Sequence, residues 1–145
     1  MTEKPETDYE SLKAFLAFYS ERYFGLSSLP PEIWPINVLE AMEKKNKKAA
    51  VMGLRQAVND CVERSFDLEH AEVEGLDAEL RSYGIVTLSE LRRRYSKGYA
   101  KILKRGRIKN ETEYYLMVNV ANDPTEKAHE ERDLLDKLIS DYEKA

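Results

Sequence analysis

The chain has 145 residues, a length that suits one domain, with 42% hydrophobic and 34% charged residues. Nine Tyr, four Phe and one Trp supply bulky apolar side chains for a core, which excludes a disordered composition. One cysteine excludes an internal disulfide and fits a reducing compartment, and a net charge of -4 departs from the strongly basic balance common among nucleic-acid binders.

Helix punctuation is the clearest signal along the chain. The acidic stretch Met1–Glu10 lacks the apolar run of a signal peptide, and residues 1–6 read as a flexible lead-in. Thr7 and Glu10 have capping-box spacing. Behind them Tyr9, Leu12, Leu16, Tyr19 and Tyr23 recur at three- and four-residue steps, widened by Phe15, Phe18 and Phe24, which predicts an amphipathic helix ended by Gly25. Core packing is the expected role of this aromatic stripe. Ser27 to Pro35 is a loop, because Pro30 and Pro31 forbid a regular helix; Ile33 and Trp34 are expected to pin it.

Pro35 opens a short helix carrying Ile36, Leu39 and Met42, and Lys44, Lys45, Lys47 and Lys48 around Asn46 read as a solvated helix end. The next helix carries Val51, Leu54, Val58, Cys61 and Val62. Cys61 lies on its apolar stripe, so a buried structural thiol is expected. Val73, Leu76, Leu80 and Tyr83 mark a further helix stopped by Gly84. A second capping box, Thr87 and Glu90, starts a helix with Leu88, Leu91, Tyr95, Tyr99 and Ile102 on one side and Gly106 at its end. Asn110 and Glu113 repeat the spacing before Tyr114–Ala121, read as helix, with a strand as the alternative. Asp123, Pro124 and Glu126 are expected to start the last helix, with Leu134, Leu135, Leu138, Ile139 and Tyr142 on its buried face.

The expected fold is therefore all-α, one domain over residues 1–145 with six or seven helices. A winged helix-turn-helix-like α+β fold is the alternative, with Ile108 and Tyr114–Val120 as the wing strands. No stretch approaches the ~20 apolar residues of a membrane span, and the expected location is the cytoplasm.

Charge is blocked along the chain. Arg92 to Lys109 holds nine basic residues and no acidic one; Asp67 to Glu90 holds seven acidic and one basic, and Asn110 to Ala145 ten acidic and four basic. On one continuous helix, Arg93, Arg94, Lys97, Lys101, Lys104 and Arg105 fall in a sector about 120° wide opposite the apolar stripe, and Arg107 and Lys109 extend it. One reading is a phosphate-contacting surface on a nucleic-acid-binding regulator. Against it stand the acidic balance, a helix long for groove recognition and the lack of Asn or Gln to read adenine. The other readings are pairing with the flanking acidic blocks and recognition of an acidic protein.

Asp67 with His70 and Glu126 with His129 have the carboxylate-x-x-His spacing of di-iron bundles, but His129 turns away from Leu134, Leu135 and Leu138, so no metal or other cofactor is expected. No phosphate-binding glycine loop, nucleophile elbow or kinase motif occurs. The function expected is a non-catalytic interaction or regulatory protein whose partner is another protein, with a nucleic-acid-binding regulator as the alternative and an enzyme or metal-binding bundle as a minor one. A protein-binding surface is expected around Trp34 or around Tyr114 and Tyr115.

Overall fold

A computed structural model describes the backbone of residues 5–145 and the side chains from Asp8 onward. The described residues form eight α-helices, three short 3-10 turns and no strand, an all-α fold. The helices are α1 (Pro5–Tyr23), α2 (Pro35–Lys45), α3 (Lys47–Arg64), α4 (His70–Ser82), α5 (Leu88–Tyr95), α6 (Lys97–Arg105), α7 (Glu111–Asn122) and α8 (His129–Lys144). Of the expected lead-in, residues 1–4 lie outside the described residues and Pro5 already begins α1. The predicted start at Thr7 therefore falls inside that helix; the Thr7 side chain lies outside the described residues.

The helix expected after Thr87 is two helices. Ser96 has an extended backbone (φ -73°, ψ 121°) and its hydroxyl accepts a hydrogen bond from the Tyr99 amide at 3.2 Å. It thus ends α5 and caps α6, as serine does by offering the backbone a local partner outside the helix. Two caps expected from the sequence also form. Thr87 Oγ1 accepts from the Glu90 amide at 3.1 Å, and Asn110 Oδ1 from the Glu113 amide at 2.9 Å. Because Asn110 starts a helix, Tyr114–Val120 lies in α7, and the wing of the α+β alternative does not form. Gly106 ends α6 in the left-handed region (φ 78°), its amide donating to the Ile102 carbonyl at 2.9 Å.

Two boundaries depart from expectation. α8 begins at His129 rather than Pro124. Asp123 Oδ2 accepts from the Thr125 amide at 3.2 Å, and Lys127 Nζ donates to the carbonyls of Asp123 and Thr125 at 2.8 and 2.9 Å. Those carbonyls are engaged by an ammonium, so the segment closes on Lys127 instead of winding into a helix. Tyr83 was expected on the buried face of α4, but it is the helix's C-cap and 67% exposed; leaving helical geometry takes it off the stripe.

The contacts group into two compact units, one running to Ser65 and including Gly84–Val86, the other Phe66–Tyr83 with Thr87–Ala145. In the first, α1, α2 and α3 pack on one another, burying Leu12, Phe15, Leu16, Leu39, Leu54 and Val58. Tyr9 donates to Glu43 at 2.5 Å and Lys13 Nζ lies 3.1 Å from the same carboxylate, tying α1 to α2. Trp34 pins its loop as expected, Nε1 donating to the Leu29 carbonyl at 3.0 Å, whereas Ile33 is 56% exposed. In the second unit α7 packs against α4, α5, α6 and α8. Tyr99, Ile102, Ile108, Leu116, Met117, Val120, Leu135 and Leu138 form its core.

Candidate functional site

The break at Ser96 divides the basic run into two stretches with different fates. On α5, Glu90 sits three and four residues before Arg93 and Arg94, the orientation that favours pairing along a helix. It is buried, and its carboxylate accepts from Arg93 Nε at 2.9 Å, Arg93 Nη2 at 3.0 Å and Arg94 Nε at 2.8 Å. Arg93 Nη1 also donates to Glu131 of α8 at 2.9 Å, and Tyr99 OH donates to the other Glu131 oxygen at 2.6 Å. Hydrogen bonding to Glu90 holds the Arg93 guanidinium more firmly protonated than usual. Burial, reinforced by the bond to Glu131, raises the Tyr99 hydroxyl pKa. Arg92 is buried with its guanidinium 4.6 Å from the centre of the Phe66 ring, a cation–π contact. These three arginines belong to the packing of their unit.

On α6 the arrangement is open. Lys97, Lys101 and Lys104 follow at i, i+4 and i+7, a strip about 60° wide opposite the buried Tyr99 and Ile102. All three are exposed, as are Arg107 and Lys109 beyond the helix, and their side chains make no ion pair or hydrogen bond among the described residues. Arg105 differs. Its two Nη atoms lie 2.7 and 3.0 Å from the oxygens of Glu113, and Nη1 also donates to the Arg107 carbonyl at 2.9 Å. The Glu113 carboxylate accepts from the Lys109 amide as well, at 2.9 Å, and the Arg105 bond leads the causes that lower its pKa.

Of the predicted basic face, then, Arg93, Arg94 and Arg105 meet carboxylates, whereas Lys97, Lys101, Lys104 and Arg107 stand together in solvent. The 100° construction across one helix does not hold, because Ser96 resets the rotation between α5 and α6. Glu90 was legible as a counter-ion from its spacing. Glu131 and Glu113 were not, being brought in from other helices.

The histidines do not form a carboxylate–histidine pair of helices. Asp67 lies in a 3-10 turn before α4, Glu126 precedes α8, and each histidine is the first residue of its helix. His129 is exposed and its Nε2 lies 3.1 Å from Asp133. His70 Nδ1 sits 3.0 Å from Asn119 Nδ2, which also donates to Glu74 at 2.8 Å. Among the described residues no group of three His, Cys, Asp or Glu is placed to hold a metal ion. Burial pushes the Cys61 thiol pKa up to about 12. The aromatic pair expected at the surface is largely engaged: Tyr114 donates to Glu143 at 2.5 Å and stacks on Tyr142, and Tyr115 lies against His70.

A buried carboxylate escaped the sequence reading. Asp77 of α4 accepts from the Ser89 amide at 3.1 Å and from the Ser89 hydroxyl, and so caps α5 from a neighbouring helix. No described helix is long and apolar enough to cross a membrane. Comparison with protein-family models, curated proteins and solved structures returned no significant match.

Proposed function

We propose that this chain is a non-catalytic interaction protein that binds an acidic surface of another protein through the cationic ridge Lys97, Lys101, Lys104 and Arg107. The observation that carries the reading is the sorting of the basic run: five side chains from Lys97 to Lys109 are exposed without a counter-ion, beside arginines that are paired. Solvated cations on one strip steer an oppositely charged partner and reject like-charged ones.

Protein is favoured over nucleic acid by which groups remain. Planar guanidinium forks clamp phosphates and guanine best, and those of Arg93, Arg94 and Arg105 hold carboxylates instead. The free positions are chiefly lysines on a nine-residue helix. The groups most suited to chemistry are engaged elsewhere: Cys61 is buried and His70 is bonded to Asn119.

Fluorescence anisotropy tests the reading with a labelled oligoglutamate peptide and a labelled DNA duplex, at low and near-physiological salt. The expected result is micromolar peptide binding at low salt that weakens toward near-physiological salt and is lost in Lys97→Glu/Lys101→Glu/Lys104→Glu. Duplex binding tighter than peptide binding at both salts would replace this reading by the nucleic-acid one.

A further inference from the structure

The loop that follows the ridge borders a cavity of about 490 Å³ against α8. Its floor is apolar: Ile108 and Leu138 are core residues at 5% and 2% exposure, and Tyr142 forms a wall. Its rim carries Arg107 and Lys109, with Asp141 the one carboxylate among the lining side chains. Tyr142 is braced by stacking on Tyr114 at 5.2 Å.

The rim is held in place from two directions. Arg105 Nη1 bonds the Arg107 carbonyl at 2.9 Å, and Glu113 Oε1 accepts from the Lys109 amide at 2.9 Å, while the Arg105–Glu113 pair joins the two anchors. Gly106 supplies the left-handed residue that the turn requires (φ 78°). A loop fixed in this way loses little freedom on binding, so contacts made to it are retained as affinity.

We infer that this cavity is the docking site for an acidic segment of a protein partner, which inserts one apolar side chain between Ile108, Leu138 and Tyr142 and sets carboxylates on Arg107 and Lys109. The inference rests on the interaction reading above and gives it a specific partner chemistry. Charge complementarity selects the segment: beside the apolar floor the two exposed cations, Arg107 and Lys109, outnumber the single lining carboxylate, Asp141. An apolar centre ringed by polar groups is the arrangement in which a single anchor side chain dominates binding.

The test uses three labelled twelve-residue peptides, rich in glutamate with a central leucine, the same with a central serine, and the leucine peptide with glutamine for glutamate. A single-stranded oligonucleotide serves as the fourth probe. The full chain is compared with Arg107→Glu/Lys109→Glu, Lys97→Glu/Lys101→Glu and Glu113→Gln, each checked for folding by thermal denaturation. The leucine peptide is expected to bind at near-physiological salt, about tenfold or more tighter than the serine peptide, as burial of one leucine implies. Binding should be lost in the glutamine peptide and in Arg107→Glu/Lys109→Glu, and weakened in Glu113→Gln, which loosens the loop. Equal binding of leucine and serine peptides, abolished only by Lys97→Glu/Lys101→Glu, overturns the cavity site and leaves the ridge reading standing. Failure of every peptide to bind, or an oligonucleotide that binds more tightly than the leucine peptide, overturns the inference outright.

Discussion

Arg93 of α5 and Glu131 of α8 lie 2.9 Å apart, thirty-eight residues from one another in the chain. The same guanidinium grips Glu90 through two further nitrogens. A basic residue that reads in sequence as part of a solvent-facing surface is thus the pin between two helices. Removing the buried end of the network, Glu90→Ala, leaves two partly buried arginines without their nearest carboxylate and is expected to cost about 3 kcal/mol. Glu131→Ala, whose carboxylate is more accessible, should cost roughly 1 kcal/mol. Urea denaturation of both variants checks the order; equal losses would show that Glu90 is not the centre of the network.

Asp77 makes stability depend on pH. Burial leads the causes that push its carboxyl up from 3.8 to about 6; the charge of Asp123 adds to this, while the bonds from Ser89 and the charge of Arg92 oppose it. The native state therefore holds the Asp77 proton more tightly than the unfolded state does. Its contribution is fully present below the unfolded value and is lost as pH rises through about 6. The loss amounts to roughly 2 kcal/mol between pH 4 and 6.5. Groups with lowered values, Glu43 and Glu113, have the opposite slope, so the measurement is the difference between the wild type and Asp77→Asn, taken from denaturation at several pH values. Asp77→Asn should gain on the wild type as pH rises across that window. A difference that stays flat with pH would place the Asp77 titration elsewhere.

Cys61 should report unfolding. It is buried on α3 and burial raises its pKa to about 12, so the thiolate that attacks a disulfide reagent is scarce in the native state at pH 8. Labelling with a chromogenic aromatic disulfide is expected to be slow in buffer and rapid in denaturant, its native rate following the population of opened molecules. Immediate stoichiometric labelling without denaturant would contradict this burial.

The helix starts can be tested singly. Ser96 Oγ and Asn110 Oδ1 each accept one amide of the helix they precede. Ser96→Ala and Asn110→Ala are each expected to cost about 1 kcal/mol. Ser96→Ala should also speed hydrogen exchange at the Tyr99 amide, while leaving the α7 amides unchanged.

What the sequence by itself determined is everything set by near neighbours. The caps at Thr87 and Asn110, the left-handed stop at Gly106 and the apolar stripes of α1, α3 and α8 depend on residues within four positions of each other. Helix in preference to strand for 114–120 follows from the Asn110 cap together with the few β-branched residues of 111–121, Thr112, Val118 and Val120. The break at Ser96 was legible in principle, since serine two residues before a glycine offers the backbone an exit, but an unbroken apolar period concealed it. The late start of α8 depended on where the Lys127 ammonium reached, and Tyr83 lost its place on the stripe with the end of helical geometry. Only the tertiary structure decided which cations are free. Lys101 and Arg93 are alike to a helical wheel; Glu90 one turn back and Glu131 carried in by α8 both hold Arg93, whereas no carboxylate among the described residues reaches Lys101. An ion pair forms by distance in space, and no local pattern encodes the distance between residues on different helices.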